Sequence, residues 1–169
     1  MSYKESVVMI LITATGLVGL GRILSQQIYS FFAIPSAMVA SFFAGSPFFL
    51  EEGGQAIIPF HTHLIRVTPD CSGYGFFCLL IAILISFGLR LAKRHKIFKF
   101  YIFAIPCAYG ITICANGLRI ISAFYAQKIA GVFLPPIFHA SLHQGIGIVI
   151  FLSILFTVSF LLERKFNDE

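Results

Sequence analysis

Three runs without a single charged residue, Cys71–Leu89, Phe100–Leu118 and Gly145–Leu162, leave this chain few places to fold. Each is eighteen or nineteen residues long, about 28 Å of α-helix and close to the hydrocarbon thickness of a bilayer. A helix closes its backbone hydrogen bonds internally, so such a run is at home in lipid and costly in water. A fourth run, Ser6–Leu24, carries only Arg22, near the end where a long side chain snorkels to the interface. Composition agrees: 58% of the 169 residues are hydrophobic and 11% are charged, with mean hydropathy +0.91. Soluble domains carry about 25% charged residues.

The net charge of +5 does not indicate nucleic acid, because the basic residues are clustered and not spread over a surface. Arg90, Lys93, Arg94, Lys96 and Lys99 sit together between two apolar runs. Basic loops stay in the cytoplasm, which puts Arg90–Lys99, Lys4 and Arg164-Lys165 inside. The segment Ser25–Asp70, whose one basic residue is Arg66, is then outside. Within it, Ile34–Phe43 suits a short interfacial helix with Pro35 near its first turn. Gly53-Gly54, between Phe48–Glu52 and Gln55–Ile58, suits the turn of a β-hairpin. His61–Val67 is expected to run on in extended form towards Cys71, and Arg119–Gly131 as a continuing or interfacial helix. Pro106 should kink its helix without ending it. The chain thus reads as an all-α integral membrane protein of about four transmembrane helices, plus interfacial helices and a small extracytoplasmic β-hairpin. It forms one domain, 1–169, with both termini cytoplasmic and no cleavable signal.

This topology brings three chemically capable residues to the outer face: Cys71 opens the second span, Arg119 closes the third and His143 precedes the fourth. A thiol at a helix start gains from the backbone N–H groups there, and Ser72 and Gly73 leave room for a substrate backbone. Asp70 beside it works the other way. Alone, a boundary cysteine is more often a packing or acylated thiol. Arg119 alone reads as a snorkelling side chain, but Asn116 lies at i−3 on the same helical face. An amide and a guanidinium together can hold an oxyanion or a carboxylate. His139 and His143 have metal-compatible spacing, with His61 and His63 as further ligands, yet the glutamate of a zincin motif is absent. No metal and no cofactor is expected. Cys78, Cys107 and Cys114 read as small packing residues; there is no CxxC.

Taken in order, Cys71-Ser72-Gly73, Asn116-Gly117-Leu118-Arg119-Ile120, and His143 with Gly147 and Phe151 at +4 and +8 resemble the exosortase/archaeosortase family of membrane cysteine transpeptidases. The match covers about Pro69 to Phe151 and is closest to the short form called exosortase K. It departs at Ile148, where the family usually has an aromatic residue. The resemblance implies catalytic Cys71, Arg119 and His143, with Asn116, Ser72, Gly73 and Gly147 supporting the substrate. It further implies a site on the extracytoplasmic face of the cell membrane. The substrates would be exported proteins ending in a short motif, a transmembrane helix and a basic tail, with a lipid or glycan as acceptor. Two other classes compete: a membrane thiol oxidoreductase, needing a second cysteine near Cys71, and a non-enzymatic membrane subunit whose Arg119 binds anions. A zinc protease on His139 and His143 is a further alternative.

Overall fold

A computed structural model describes residues 3–23, 26–51, 55–60, 63–68, 72–90, 96–130 and 139–167. The chain is mostly helical: α1 (Tyr3–Ile23), α2 (Gln26–Ala44), α3 (Tyr74–Arg90), α4 (Lys96–Ala130) and α5 (His139–Asn167). Strands β1 (Phe49–Leu50), β2 (Ala56–Phe60) and β3 (His63–Val67) form an antiparallel sheet in that order. Two helical stretches, Phe100–Ile129 and Ser141–Arg164, are long and apolar enough to cross a membrane. Val7–Gly21, Ser30–Ala44 and Tyr74–Leu89 are shorter apolar helices.

Two compact units divide the chain. The first comprises Met1–Ser25, Tyr74–Thr112 and Leu155–Glu169. In it α1 packs on α3, where Gly21 leaves space for the Tyr74 ring. The Tyr74 hydroxyl donates to the Leu17 carbonyl at 2.8 Å, which ties the start of α3 to α1. Tyr101 repeats the device, lying against Gly88 and donating to the Ile85 carbonyl at 3.1 Å. A buried tyrosine hydroxyl needs such a partner.

The second unit comprises Gln26–Gly73 and Ile113–Ile154. Its core joins Ala33, Ala37 and Ala40 of α2 to Ala56, Ile58 and Val67 of the sheet and Ile120 and Ile121 of α4. The alanines recur at helical spacing and present a thin face, so the sheet approaches α2 closely. Alternation along β2 buries Ala56, Ile58 and Phe60, and Phe60 meets Phe124 of α4 edge-on at 4.9 Å. The α2 helix stops at Gly45, whose φ of 63° permits a left-handed cap. There Ser46 N–H bonds the Ser41 carbonyl at 3.1 Å and Gly45 N–H the Phe42 carbonyl at 3.2 Å.

Several expected boundaries move. The short helix expected over Ile34–Phe43 belongs to α2, which runs from Gln26 with Pro35 in its interior. Proline removes one N–H and so one bond back to residue 31, and the core contacts of Ala33 and Ala37 hold the turns on either side. The hairpin around Gly53-Gly54 forms, with Phe49 opposite Ile57 and Glu51 N–H bonded to the Gln55 carbonyl at 2.9 Å; residues 52–54 lie outside the described set. The extended passage expected over His61–Val67 is extended where it is described, His63–Val67, and there it pairs as the third strand, with Phe60 opposite His63; residues 61 and 62 lie outside the described set. Pro59 in the central strand lies beyond the two residues of β1, where no ladder bond needs its missing N–H. Its carbonyl accepts the Ser46 hydroxyl. Arg66 forms an exposed pair with Glu51 at 3.5 Å, of the kind that contributes little to stability. Residues 116–130 continue α4 without a break. The last helix starts at His139, so His143 is already inside it.

Candidate active site

One turn of α4 reaches three neighbours in the second unit. Gly117 faces α2: a Cβ there would stand 2.5 Å from Val39 Cγ1 and 3.1 Å from the Ser36 carbonyl oxygen. The missing side chain is what lets these helices approach. Asn116, fully buried, faces the segment that leads into α3. Gly73 of that segment has φ 76°, open to glycine at no steric cost. A Cβ on it would lie 3.1 Å from Asn116 Cβ and Cγ. Ser72 beside it is buried as well.

Arg119, one turn on from Asn116, turns to α5. Its Nη1 donates to Asn116 Oδ1 at 3.4 Å, and its Nη2 lies 3.1 Å from His143 Nε2. A guanidinium has only donors, so Nε2 is the acceptor and the ring of a neutral His143 carries its proton on Nδ1. Arg119 Nε is buried with no hydrogen-bond partner among the described residues. Gly147, one turn after His143, makes the approach possible: a Cβ there would stand 2.5 Å from Nε and 3.0 Å from Cδ. The Arg119 Cζ lies 5.6 Å from the centroid of Phe151, another turn along. His143, Gly147 and Phe151 thus form a stripe on α5 along which the arginine side chain lies.

These distances carry a stability prediction. Gly147→Ala is expected to destabilise the protein by about 1–3 kcal/mol, because the new methyl group must displace a buried guanidinium. Gly145→Ala, with nothing within 4 Å of its would-be Cβ, is expected to be neutral or stabilising by up to about 1 kcal/mol. Unfolding of the two variants in the same detergent checks the pair.

Of the residues singled out in the sequence, Asn116, Arg119, His143 and Gly147 meet, and Gly73 closes on Asn116. Cys71 lies outside the described residues, as do Asp70 and His61. The helix expected to begin at Cys71 begins at Tyr74; the positive φ of Gly73 is not helical. His139 lies in α5 and His63 in β3. Among the described residues no three His, Cys, Asp or Glu side chains converge as metal ligands. Cys78 is buried and Cys107 and Cys114 are exposed, all three free. The contact of Phe151 with Arg119 was not legible as a role, although its spacing from His143, eight residues, was.

An open apolar groove of about 600 Å³ lies next to the pair, lined by Ser122 of α4 and by Leu142, Gly145, Ile146 and Val149 of α5, among others. Leu142 adjoins His143, and Ser122 lies one turn after Arg119. No protein-family model, curated protein or solved structure matches this chain.

Proposed function

We propose that this protein is a membrane-embedded cysteine transpeptidase that cleaves C-terminal sorting signals of exported proteins at the extracytoplasmic face. The observation that carries the reading is the Arg119–His143 contact at 3.1 Å, formed beside the Gly73–Asn116 approach two residues from Cys71. Two residues of extended chain span at most about 7 Å. The topology adds support. About twenty helical residues, roughly 30 Å, separate Lys99 from Arg119 and His143 from Arg164. That interval is long enough for basic ends to lie at one membrane face and the pair at the other. On this reading α1 and α3 also cross the membrane, giving four spans with both termini in the cytoplasm. The large apolar side chains of α5 that stand exposed, among them Ile148, Leu152, Phe156 and Phe160, face lipid. The apolar groove beside the pair suits the transmembrane helix of a substrate.

In the resting site His143 Nε2 is held by Arg119. As Nε2 takes the proton of Cys71, it becomes a donor and a cation facing a guanidinium, and the contact breaks. The thiolate attacks the scissile carbonyl, its electron pair forming the C–S bond while the C=O π pair moves onto the oxygen. The released guanidinium stabilises that oxyanion, with Asn116 holding it in place. Collapse breaks the C–N bond, His143 gives its proton to the leaving amine, and an acyl thioester remains on Cys71. An amine or hydroxyl of a lipid or glycan acceptor, or water, then takes the acyl group and regenerates the thiol. No metal or cofactor enters this scheme.

The test is to trap the thioester. The protein, reconstituted in liposomes, is incubated with an exported protein that ends in a motif, a transmembrane helix and a basic tail. The expected product is an acyl adduct on Cys71, seen by mass spectrometry and released by neutral hydroxylamine. Cleavage with no adduct at any stage would sink the thioester route. Substrate bound but never cleaved would leave Arg119 as the anion site of a non-enzymatic subunit.

A further inference from the structure

The guanidinium of Arg119 is secured unevenly. Two of its nitrogens have hydrogen-bond partners, Asn116 at 3.4 Å and His143 at 3.1 Å, and the third, Nε, is buried with none among the described residues. Such an arginine could swing about its long side chain unless something else fixes the plane. The face of α5 supplies two constraints. Gly147 gives Nε and Cδ a place against the helix, since a Cβ would stand 2.5 Å and 3.0 Å from them. Phe151 presents its ring 5.6 Å from Cζ, within the range where the ring quadrupole attracts a guanidinium. The attraction strengthens where water is excluded.

We propose that Phe151 is a positioning residue: its ring holds the Arg119 guanidinium against His143 Nε2 and thereby fixes His143 as the Nδ1–H tautomer. A histidine side chain in water favours the opposite tautomer, with the proton on Nε2. A donor held firmly at Nε2 reverses that preference, and a donor that wanders does not. The consequence for the reaction is specific. The nitrogen that must take the thiol proton carries none of its own, so no tautomer exchange precedes attack once Arg119 moves off it. This role rests on the transpeptidase reading for its effect on rate, but the tautomer itself does not.

The experiment reads both. Protein labelled with 15N-histidine in lipid bilayers is observed by solid-state NMR without substrate, and His143→Gln identifies the His143 signals. Wild type is expected to show protonated Nδ1 and bare Nε2. Phe151→Leu is expected to shift His143 towards the Nε2–H tautomer, whereas Phe151→Tyr, which keeps the ring, retains the wild-type pattern. Phe151→Met, flexible and close to leucine in volume, carries the same expectation as Phe151→Leu if that variant fails to accumulate. In the cleavage assay the ring-less variants should lose about tenfold in kcat with KM unchanged. A wild-type His143 protonated on Nε2, or an aliphatic variant with the tautomer unaltered, overturns the proposal. A protein with the expected tautomers that cleaves nothing refutes the transpeptidase reading and leaves this one standing.

Discussion

Cys71→Ala is expected to abolish cleavage of a sorting-signal substrate, with a loss of about 10³–10⁴-fold or more, while the substrate still binds. The size follows from what is removed. Arg119, Asn116 and His143 can hold and polarise a carbonyl, but none of them forms the covalent intermediate that divides the reaction into two easier steps. Cys71→Ser should be almost as inactive, since a hydroxyl is far harder to deprotonate than a thiol. Binding and turnover measured separately decide the matter. The competing oxidoreductase reading makes a different demand: loss of activity in Cys78→Ser, Cys107→Ser or Cys114→Ser as well. Retention of full cleavage by all three, with none in Cys71→Ala, assigns the chemistry to one thiol. Cleavage that survives Cys71→Ala removes the transpeptidase reading altogether.

Arg119→Lys should reduce kcat by about 10²–10³-fold, the usual effect of losing a preorganised oxyanion donor. Charge is conserved in this substitution, so the loss isolates geometry. The ammonium is a point charge on a flexible stem; it cannot fork to Asn116 Oδ1 and His143 Nε2 while lying over Phe151 as the planar guanidinium does. A single-turnover assay separates acylation from later steps, and acylation is where the deficit is expected. A lysine variant within a few-fold of wild type would mean that position 119 supplies only charge. His143 would then have to be oriented by something other than its contact at 3.1 Å.

Much of this arrangement was legible before any coordinates. The apolar runs marked α1 and α3 to within three residues at either end, because apolar length and charge punctuation depend on nothing beyond the local chain; α4 runs twelve residues past Leu118 and α5 begins six before Gly145. The i, i+3 spacing of Asn116 and Arg119 placed both on one helical face, and they bond at 3.4 Å. Tertiary effects hid the rest. Pro35 read as the beginning of a helix, whereas alanine packing against the sheet carries α2 through it. His63–Val67 read as extended, but its pairing with β2 depends on residues brought together by the fold. The approach of Arg119 to His143 joins residues twenty-four apart; sequence could assign them a shared membrane face and no distance. Gly147 stood out only by its place in a motif. Its physical reason, space for an arginine, depends on a neighbouring helix.

The turn Asn116-Gly117-Leu118-Arg119 has a consequence for how the chain can change over time. Asn116 meets Gly73, Gly117 meets Val39 and Ser36 of α2, and Arg119 meets His143 and Gly147 of α5. Three of four successive side-chain positions are thus fitted to three separate stretches of the polypeptide. A side chain at Gly117 would meet Val39, and one at Gly73 or Gly147 would meet Asn116 or Arg119. A change at any of these glycines therefore calls for a second change at the residue it meets. Leu118, 42% exposed, is the one member of the four left to drift independently.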